Sequence, residues 1–75
     1  MQEIKITGDM IRLGQLLKLG GVVESGADGK DLLASEAVLV NGSIETRRGR
    51  QLHDGDVVEV EDWEFRISAG QSLSK

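Results

Sequence analysis

Three arginines stand within four residues, at Arg47, Arg48 and Arg50, with Gly49 between them. A guanidinium group is a planar fork of N–H donors that matches the oxygens of a phosphate and also stacks on aromatic rings. Three like charges this close repel one another unless an anion screens them, so the cluster favours a polyanionic partner. The alternative is internal pairing with the acids that follow, which are Asp54, Asp56 and Glu59.

Other cations precede this cluster in segments with helical patterning. Lys30 and Arg12 are the stronger candidates for phosphate contact, and Lys18 is the weaker one. Arg12 and Lys18 lie about 240° apart on a helical wheel, so we expect that they do not share one surface. The candidate binding residues are therefore Arg47, Arg48, Arg50, Lys30, Arg12 and Lys18.

No constellation in the sequence suits catalysis, a metal or a nucleotide cofactor. His53 adjoins Asp54, but neighbouring residues in an extended turn point apart, and no nucleophile completes a triad. One histidine and no cysteine cannot form a zinc site, and the acids of 54–64 lack the spacing of a calcium loop. The glycines at 20, 21, 26 and 29 fit no phosphate-binding loop. We predict a protein that is not an enzyme, with no cofactor and no metal.

Size and charge set the remaining limits. The 75 residues predict one domain over 1–70 with a flexible tail at 71–75, and a core of modest size. No apolar run is long enough to cross a bilayer and no secretion signal is visible, so we expect a cytoplasmic monomer. The net charge is −4, yet the segment 54–64 alone carries −6, which leaves the rest of the chain about +2. A basic patch can therefore act locally, because charges are screened over about 8 Å in physiological salt.

Two helices are predicted in the first half of the chain, after a short strand over 3–7. The first would be capped by Asp9, carry the apolar stripe of Leu13, Leu16 and Leu17, and stop at Gly20-Gly21. Gly14 within it predicts close packing at that point. The second would begin at Ser25, with Asp28 three residues later, and run to about residue 34 or 35. Both are too short to be stable alone, so they should pack as a helical hairpin.

In the second half of the chain, from Val38, apolar residues recur with the period of two that is typical of β-strands. Asn41-Gly42 predicts a type I′ turn, because both residues tolerate positive φ, and it should join strands at 38–40 and 43–46. Turn signals at Asp54-Gly55 and Glu61-Asp62 bound a strand at 57–60 and a last strand at 64–68. The fold class predicted is α+β, with the two-helix hairpin packed on a small antiparallel β-sheet.

Several of these segments together resemble a known family, the S-four RNA-binding domain, also called the alpha-L motif. The resemblance covers about residues 9–60, and the segment 45–50 is similar to that of the small stand-alone bacterial YaaA/YbcJ-like members. It implies a helical hairpin on a bent sheet, with RNA held by the helices and the adjoining loop. The segments that carry it are Arg12-Leu13, Leu16-Leu17, Glu24-Ser25, Leu32-Leu33, Val38–Gly42 and Gly55–Val60.

The chain departs from the family pattern at four positions. Members usually have arginine or another polar residue where Gly26 stands, and arginine where Lys30 stands. The aspartate that often follows Arg12-Leu13 in the family is Gly14 here. Glu36 occupies a position that is glycine in many members and suits left-handed backbone. These changes weaken the helix surface, so we expect the arginine segment to contribute most to binding.

The function predicted is non-catalytic binding of structured RNA, with ribosomal RNA or a ribosomal particle as the expected partner. The contacts would be to phosphate and shape, because A-form RNA hides its major groove from side chains. The alternative is a protein-interaction adaptor that docks a basic partner on the acidic strand 54–64, with Trp63 as an anchor. Trp63 shares a strand face with Phe65 and Ile67, however, which favours a place in or beside the core.

Overall fold

The computed structural model describes residues 1–69, and the tail predicted at 71–75 lies outside them. This part of the chain forms two helices and seven strands. In chain order they are β1 (Gln2–Ile6), β2 (Ile11–Arg12), α1 (Leu13–Leu19), α2 (Gly26–Ala34), β3 (Val38–Val40), β4 (Ser43–Ile44), β5 (Gln51–Leu52), β6 (Val57–Val60) and β7 (Trp63–Ala69).

The first helix starts later than the sequence indicated. Asp9 does not cap α1, because residues 11–12 are extended and pair as β2 with β5. Arg12 is the N-cap, with φ −85° and ψ 150°, and its backbone N–H donates to Oε1 of Gln15 at 3.2 Å. The predicted stop at Gly20-Gly21 is confirmed, since Gly20 N donates to Leu16 O at 2.8 Å and Gly21 has φ +80°.

The second helix follows the prediction closely. Ser25 is its N-cap, and its hydroxyl accepts a hydrogen bond from the backbone N–H of Asp28 at 3.3 Å. The helix ends at Ala34, and Glu36 then adopts φ 62°, the left-handed geometry expected at this position. A non-glycine residue there carries some backbone strain.

The main sheet is mixed, which corrects the expectation of a purely antiparallel sheet. Its strand order is β1-β7-β6-β3-β4, and the separate pair β2-β5 lies beside α1. The contacts among β3, β4, β6 and β7 are antiparallel, but β1 runs parallel to β7 with Ile4 opposite Ile67. A parallel pair needs a long crossover, and here almost the whole chain supplies it. The α+β class with a helix pair on a small sheet is confirmed.

The β3-β4 hairpin has the predicted turn. Asn41 and Gly42 have φ values of 52° and 87°, as a type I′ turn requires. The ladder includes only Ser43–Ile44 of the predicted partner strand, and one further bond runs from Glu45 N to Val38 O at 2.9 Å. This bond places Glu45 just before the three arginines at 47, 48 and 50.

The core lies between the helices and one face of the sheet. Gly20 is needed where α1 meets the sheet, because a Cβ there would come within 2.8 Å of Cζ of Phe65. Trp63 is 41% exposed and stacks on Phe65 with ring centroids 5.6 Å apart, so it lies at the edge of the core. The buried apolar side chains are Ile4, Leu13, Leu16, Leu17, Val23, Leu33, Val38, Val40, Leu52, Val58, Val60, Phe65 and Ile67.

Candidate nucleic-acid interface

The arginine loop, residues 47–50, is fastened to the start of α1 by its own backbone carbonyls. Leu13 N donates to Arg50 O at 2.8 Å and Gly14 N donates to Arg48 O at 3.0 Å. The guanidinium of Arg12 adds a bond from Nη1 to Gly49 O at 3.0 Å. These bonds also satisfy N–H groups of the first helical turn, which have no partner within the helix. Loop and helix therefore form one rigid unit.

Gly14 explains how closely this unit is packed. A Cβ at this position would lie 2.5 Å from Cγ of Arg48 and 3.3 Å from its Cδ. The side chain of Arg48 thus crosses directly over the first turn of α1, where any larger residue than glycine would displace it. The close packing predicted at Gly14 is confirmed, and the group that packs there is a candidate binding residue.

A depression of about 410 Å³ opens beside Arg48, and we call it the basic cavity. It brings together three of the predicted cations, Arg12, Lys18 and Arg48. The expectation that Arg12 and Lys18 occupy different surfaces is wrong, because Arg12 is extended and precedes the helix, so the helical wheel does not apply to it. No acid is among the described residues that line this cavity, which are Arg12, Gly14, Gln15, Lys18, Gly29, Arg48 and Gly49.

Lys30 lies outside the basic cavity but next to it. It is exposed on α2, directly after Gly29, which is buried and lines the cavity. Gly29 packs on Val23 of the connection between the helices, whose Cγ2 would lie 3.7 Å from a Cβ built at this glycine. Within residues 1–69, Lys18 and Lys30 have no carboxylate within ion-pair distance.

Arg47 and Arg50 are held by one carboxylate, that of Glu45. Its Oε2 accepts from Nε of Arg47 at 3.0 Å and from the backbone N–H of Arg47 at 3.1 Å. Its Oε1 accepts from Nη2 of Arg47 at 3.2 Å and from Nη1 of Arg50 at 2.8 Å. The same two arginines, with Gly49 and Gln51, line a second depression of about 380 Å³.

Glu45 is the one buried charged residue in the described part of the chain, with 6% of its surface exposed. The hydrogen bond from the Arg47 side chain lowers the pKa of Glu45 to about 2, against the opposing effect of burial. The same contact raises the pKa of Arg47. The internal pairing considered for the arginines does occur for Arg47 and Arg50, but with Glu45 and not with the acids at 54, 56 and 59.

Sequence reasoning missed Glu45 although a signal was present. Residues two apart in an extended segment lie on the same side, so Glu45 and Arg47 are natural partners. The missing information was the burial of Glu45. A carboxylate withdrawn from water forms strong hydrogen bonds with the arginines it contacts, and here it contacts two.

The acidic segment uses some of its charges to hold its own turns. Asp56 accepts from His53 N at 2.7 Å and from Nδ2 of Asn41 at 3.1 Å, and Asp54 accepts from Ala69 N at 3.0 Å. His53 is an exposed residue of this turn, with its Nδ1 3.9 Å from the Asp56 carboxylate. The other acids of this segment are Glu61, Asp62 and Glu64, which are exposed, and Glu59, which is half-buried.

Within residues 1–69, no group of three or more His, Cys, Asp or Glu side chains lies close enough together to hold a metal ion. None of the described helices has the length and apolar character that a membrane span requires.

A helical hairpin on a small sheet, with cations gathered where the first helix meets a loop, defines a small α+β module of the S4 type. The chain belongs to the S4 domain family, whose family model matches residues 4–68. A relative in Bacillus subtilis (strain 168), described as a probable ribosome maturation protein RlbA, is 52% identical over 58 residues. The match covers 77% of this chain and 82% of the relative. The resemblance recognised from the sequence is confirmed.

Proposed function

We propose that this protein is a non-catalytic RNA-binding protein that recognises structured RNA, with ribosomal RNA or a ribosomal particle as its target. Membership of the S4 domain family supports RNA as the partner, and the description of the Bacillus relative as a ribosome maturation protein supports the ribosomal target. In this proposal the protein acts as a monomer in the cytoplasm, where ribosomal particles are assembled.

The observation that carries the proposal is the continuity of the two basic depressions. Gly49 lines both of them, so the basic cavity and the surface of Arg47 and Arg50 meet at one residue. Lys30 stands beside the cavity on α2. Arginine and lysine side chains on two helices and one loop thus border a single surface, and a phosphate backbone could cross it.

The shape of this surface suits backbone recognition. Glycines at 14, 29 and 49 keep the cavity open between the cations, and the backbone at Gly49 is exposed to an incoming strand. Protein contacts with A-form RNA fall mostly on phosphates and 2′-hydroxyls, because the major groove is deep and narrow. Arginine forks bind phosphate with two N–H bonds, whereas Lys18 and Lys30 act as point charges.

One observation keeps a protein partner as a second candidate function. On the sheet face away from the helices, one row of paired residues crosses four strands. It consists of Ile44, Leu39, Glu59 and Glu64 on β4, β3, β6 and β7, and Ile44 is 56% exposed. A basic protein of a ribosomal particle could dock there while RNA occupies the arginine side. Asp54 and Asp56 would contribute little, since both serve the turns.

The salt dependence of RNA binding tests the proposal. Neutralising about four phosphates lowers the affinity on the order of 10²-fold between about 50 and 200 mM salt. The measurement is fluorescence anisotropy with purified bacterial ribosomal RNA fragments and with a labelled RNA hairpin. Affinity that does not change with salt would rule out phosphate contacts as the source of binding.

Crosslinking in cells, followed by sequencing of the bound RNA, identifies the target. We expect ribosomal RNA reads enriched at a few structured sites. Recovery of no RNA above a mock sample would contradict the proposal and favour the protein partner.

A further inference from the structure

We propose that Glu45 is a positioning residue for RNA binding: its buried carboxylate holds Arg47 and Arg50 in the geometry that contacts phosphate. The inference rests on the proposed function. It has an unusual consequence, because a negative charge inside a phosphate-binding surface then increases the affinity for a polyanion.

The geometry of Arg47 is the first support. Glu45 accepts from Nε and Nη2 of this guanidinium, which is one edge of the fork. The opposite edge, formed by Nη1 and the second hydrogen of Nη2, is not used by Glu45, and the side chain is 74% exposed. A guanidinium has five N–H donors, so a phosphate can take two of them while the carboxylate keeps its own.

Arg50 gives the second support. Only its Nη1 contacts Glu45, at 2.8 Å, and its side chain is 34% exposed in the same depression as Arg47. One carboxylate therefore fixes two long side chains next to each other. Without it, the two like charges would repel and each side chain would move through many rotamers.

The reason for a buried partner is entropic. Ordering a long side chain on binding opposes association, and Glu45 has already ordered two of them in the folded protein. A point-charge description predicts the opposite outcome, since removing Glu45 makes the surface more positive. The two descriptions differ in sign and can be separated by one substitution.

The test is Glu45→Gln, measured with the full chain and a fluorescently labelled RNA hairpin at about 50 mM salt. Glutamine keeps the size but replaces one acceptor oxygen with a donor that faces a guanidinium. We expect the affinity to fall about 5- to 50-fold. Affinity equal to or higher than that of the unchanged protein overturns the inference. Glu64→Gln is the matched control, because it removes the same charge from an exposed strand position and should leave the affinity unchanged or slightly higher.

A double-mutant cycle distinguishes positioning from a general role in folding. In a protein that carries Arg47→Ala and Arg50→Ala, we expect Glu45→Gln to change RNA affinity less than twofold, because the side chains it positions are gone. An unchanged 5- to 50-fold loss in that background would show that Glu45 acts by another route.

Failure of the proposed function and failure of this inference give different experimental results. If the unchanged protein does not bind the hairpin or ribosomal RNA, the proposed function fails. If it binds with the expected salt dependence and Glu45→Gln binds equally well, only this inference fails. Should Glu45→Gln not fold, Glu45→Asp replaces it, since aspartate keeps the negative charge but is one methylene shorter and withdraws the carboxylate from Arg47 and Arg50. A loss of about 3-fold or more is then expected, and no loss overturns the inference.

Discussion

The arginine loop and the acidic turn, residues 53–56, flank the same short strand β5 and are held in place in different ways. In the arginine loop, the carbonyl oxygens of Arg48, Gly49 and Arg50 accept hydrogen bonds from the start of α1. The acidic turn has backbone bonds to Ile67 of β7, but its carboxylates also accept: Asp56 from His53 and Asn41, and Asp54 from Ala69. The charged groups of the acidic turn therefore stabilise the turn itself, whereas the bonds that join the arginine loop to α1 end on its carbonyl oxygens.

The largest effect is expected from reversing the charge of the arginine loop. Changing Arg47, Arg48 and Arg50 to glutamate should weaken RNA binding more than about 100-fold, since several phosphate contacts become repulsive. Fluorescence anisotropy measures the loss, and circular dichroism checks folding. Because Glu45 loses its partners in this variant, Arg48→Glu alone serves as a second variant, with a loss of about 10-fold or more.

The control for that prediction is a charge reversal on the main sheet, outside the arginine loop. Lys5→Glu with Arg66→Glu alters two exposed cations on strands β1 and β7. We expect less than about a fivefold loss from this pair, through the general field of the protein only. A loss equal to that of the loop variants would show that net charge, and not the loop, determines binding.

The acidic turn should respond in stability and not in RNA affinity. Asp56→Ala removes the carboxylate that accepts from His53 and Asn41 and should lower the free energy of unfolding by about 2 to 3 kcal/mol, with RNA affinity within twofold. Urea denaturation measures the first quantity. Asp62→Ala, at an exposed turn position, should change stability by less than about 0.5 kcal/mol.

The Glu45 ion pairs predict a specific dependence of stability on pH. The pKa of Glu45 is lowered to about 2 in the folded protein, from an ordinary value of 4.5, so the stability that its ion pairs contribute is fully present above pH 4.5 and is lost as the pH falls toward 2. By about pH 3 the loss should be about 2 kcal/mol. Other carboxylates also titrate there, so the measurement is the difference in urea stability between the unchanged protein and Glu45→Gln. A difference that stays constant from about pH 6 to pH 3 would contradict the pairing.

A smaller effect is expected at Gly14. Alanine there would overlap Cγ of Arg48 and push its side chain off α1, so RNA affinity should fall about 3- to 5-fold. Stability should fall by about 1 kcal/mol or more, because Cγ of Arg48 lies close to the backbone and cannot move without a change of rotamer, which outweighs the helix preference of alanine over glycine. Gly8→Ala is the control, since nothing lies within 4 Å of a Cβ built there. Destabilisation by Gly14→Ala without loss of binding would assign Gly14 to the fold alone.

Local chemistry explains which elements could be predicted from the sequence. The turn at Asn41-Gly42, the cap at Ser25 and the stop at Gly20-Gly21 each depend on residues within a few positions of one another. The α+β class follows from the change of hydrophobic period near Val38. The strands at Val57–Val60 and Trp63–Ala69 follow from their turn signals in the same way.

Contacts between distant residues explain what could not be predicted. The parallel pairing of β1 with β7 and the pairing of β2 with β5 have no local signal in the sequence. Because residues 11–12 pair with β5, the first helix is capped by Arg12 and not by Asp9 as predicted. This later start of the helix brought Arg12 and Lys18 to one cavity. All six predicted candidate residues are kept in the proposed interface, and the role proposed for Glu45 depends on its burial, which the sequence does not show.

The pairing of β1 with β7 also determines when, during synthesis and folding, the main sheet can be completed. Gln2 lies opposite Phe65, so the first strand of the chain cannot join the sheet until nearly the last described residue has been synthesised. Both helices and the arginine loop are synthesised before that point, and the sheet still lacks β7 and its pairing with β1. Because contacts between distant residues slow folding, closure of this edge should be a late step, and shortening β7 should slow or prevent it even though no binding residue is removed.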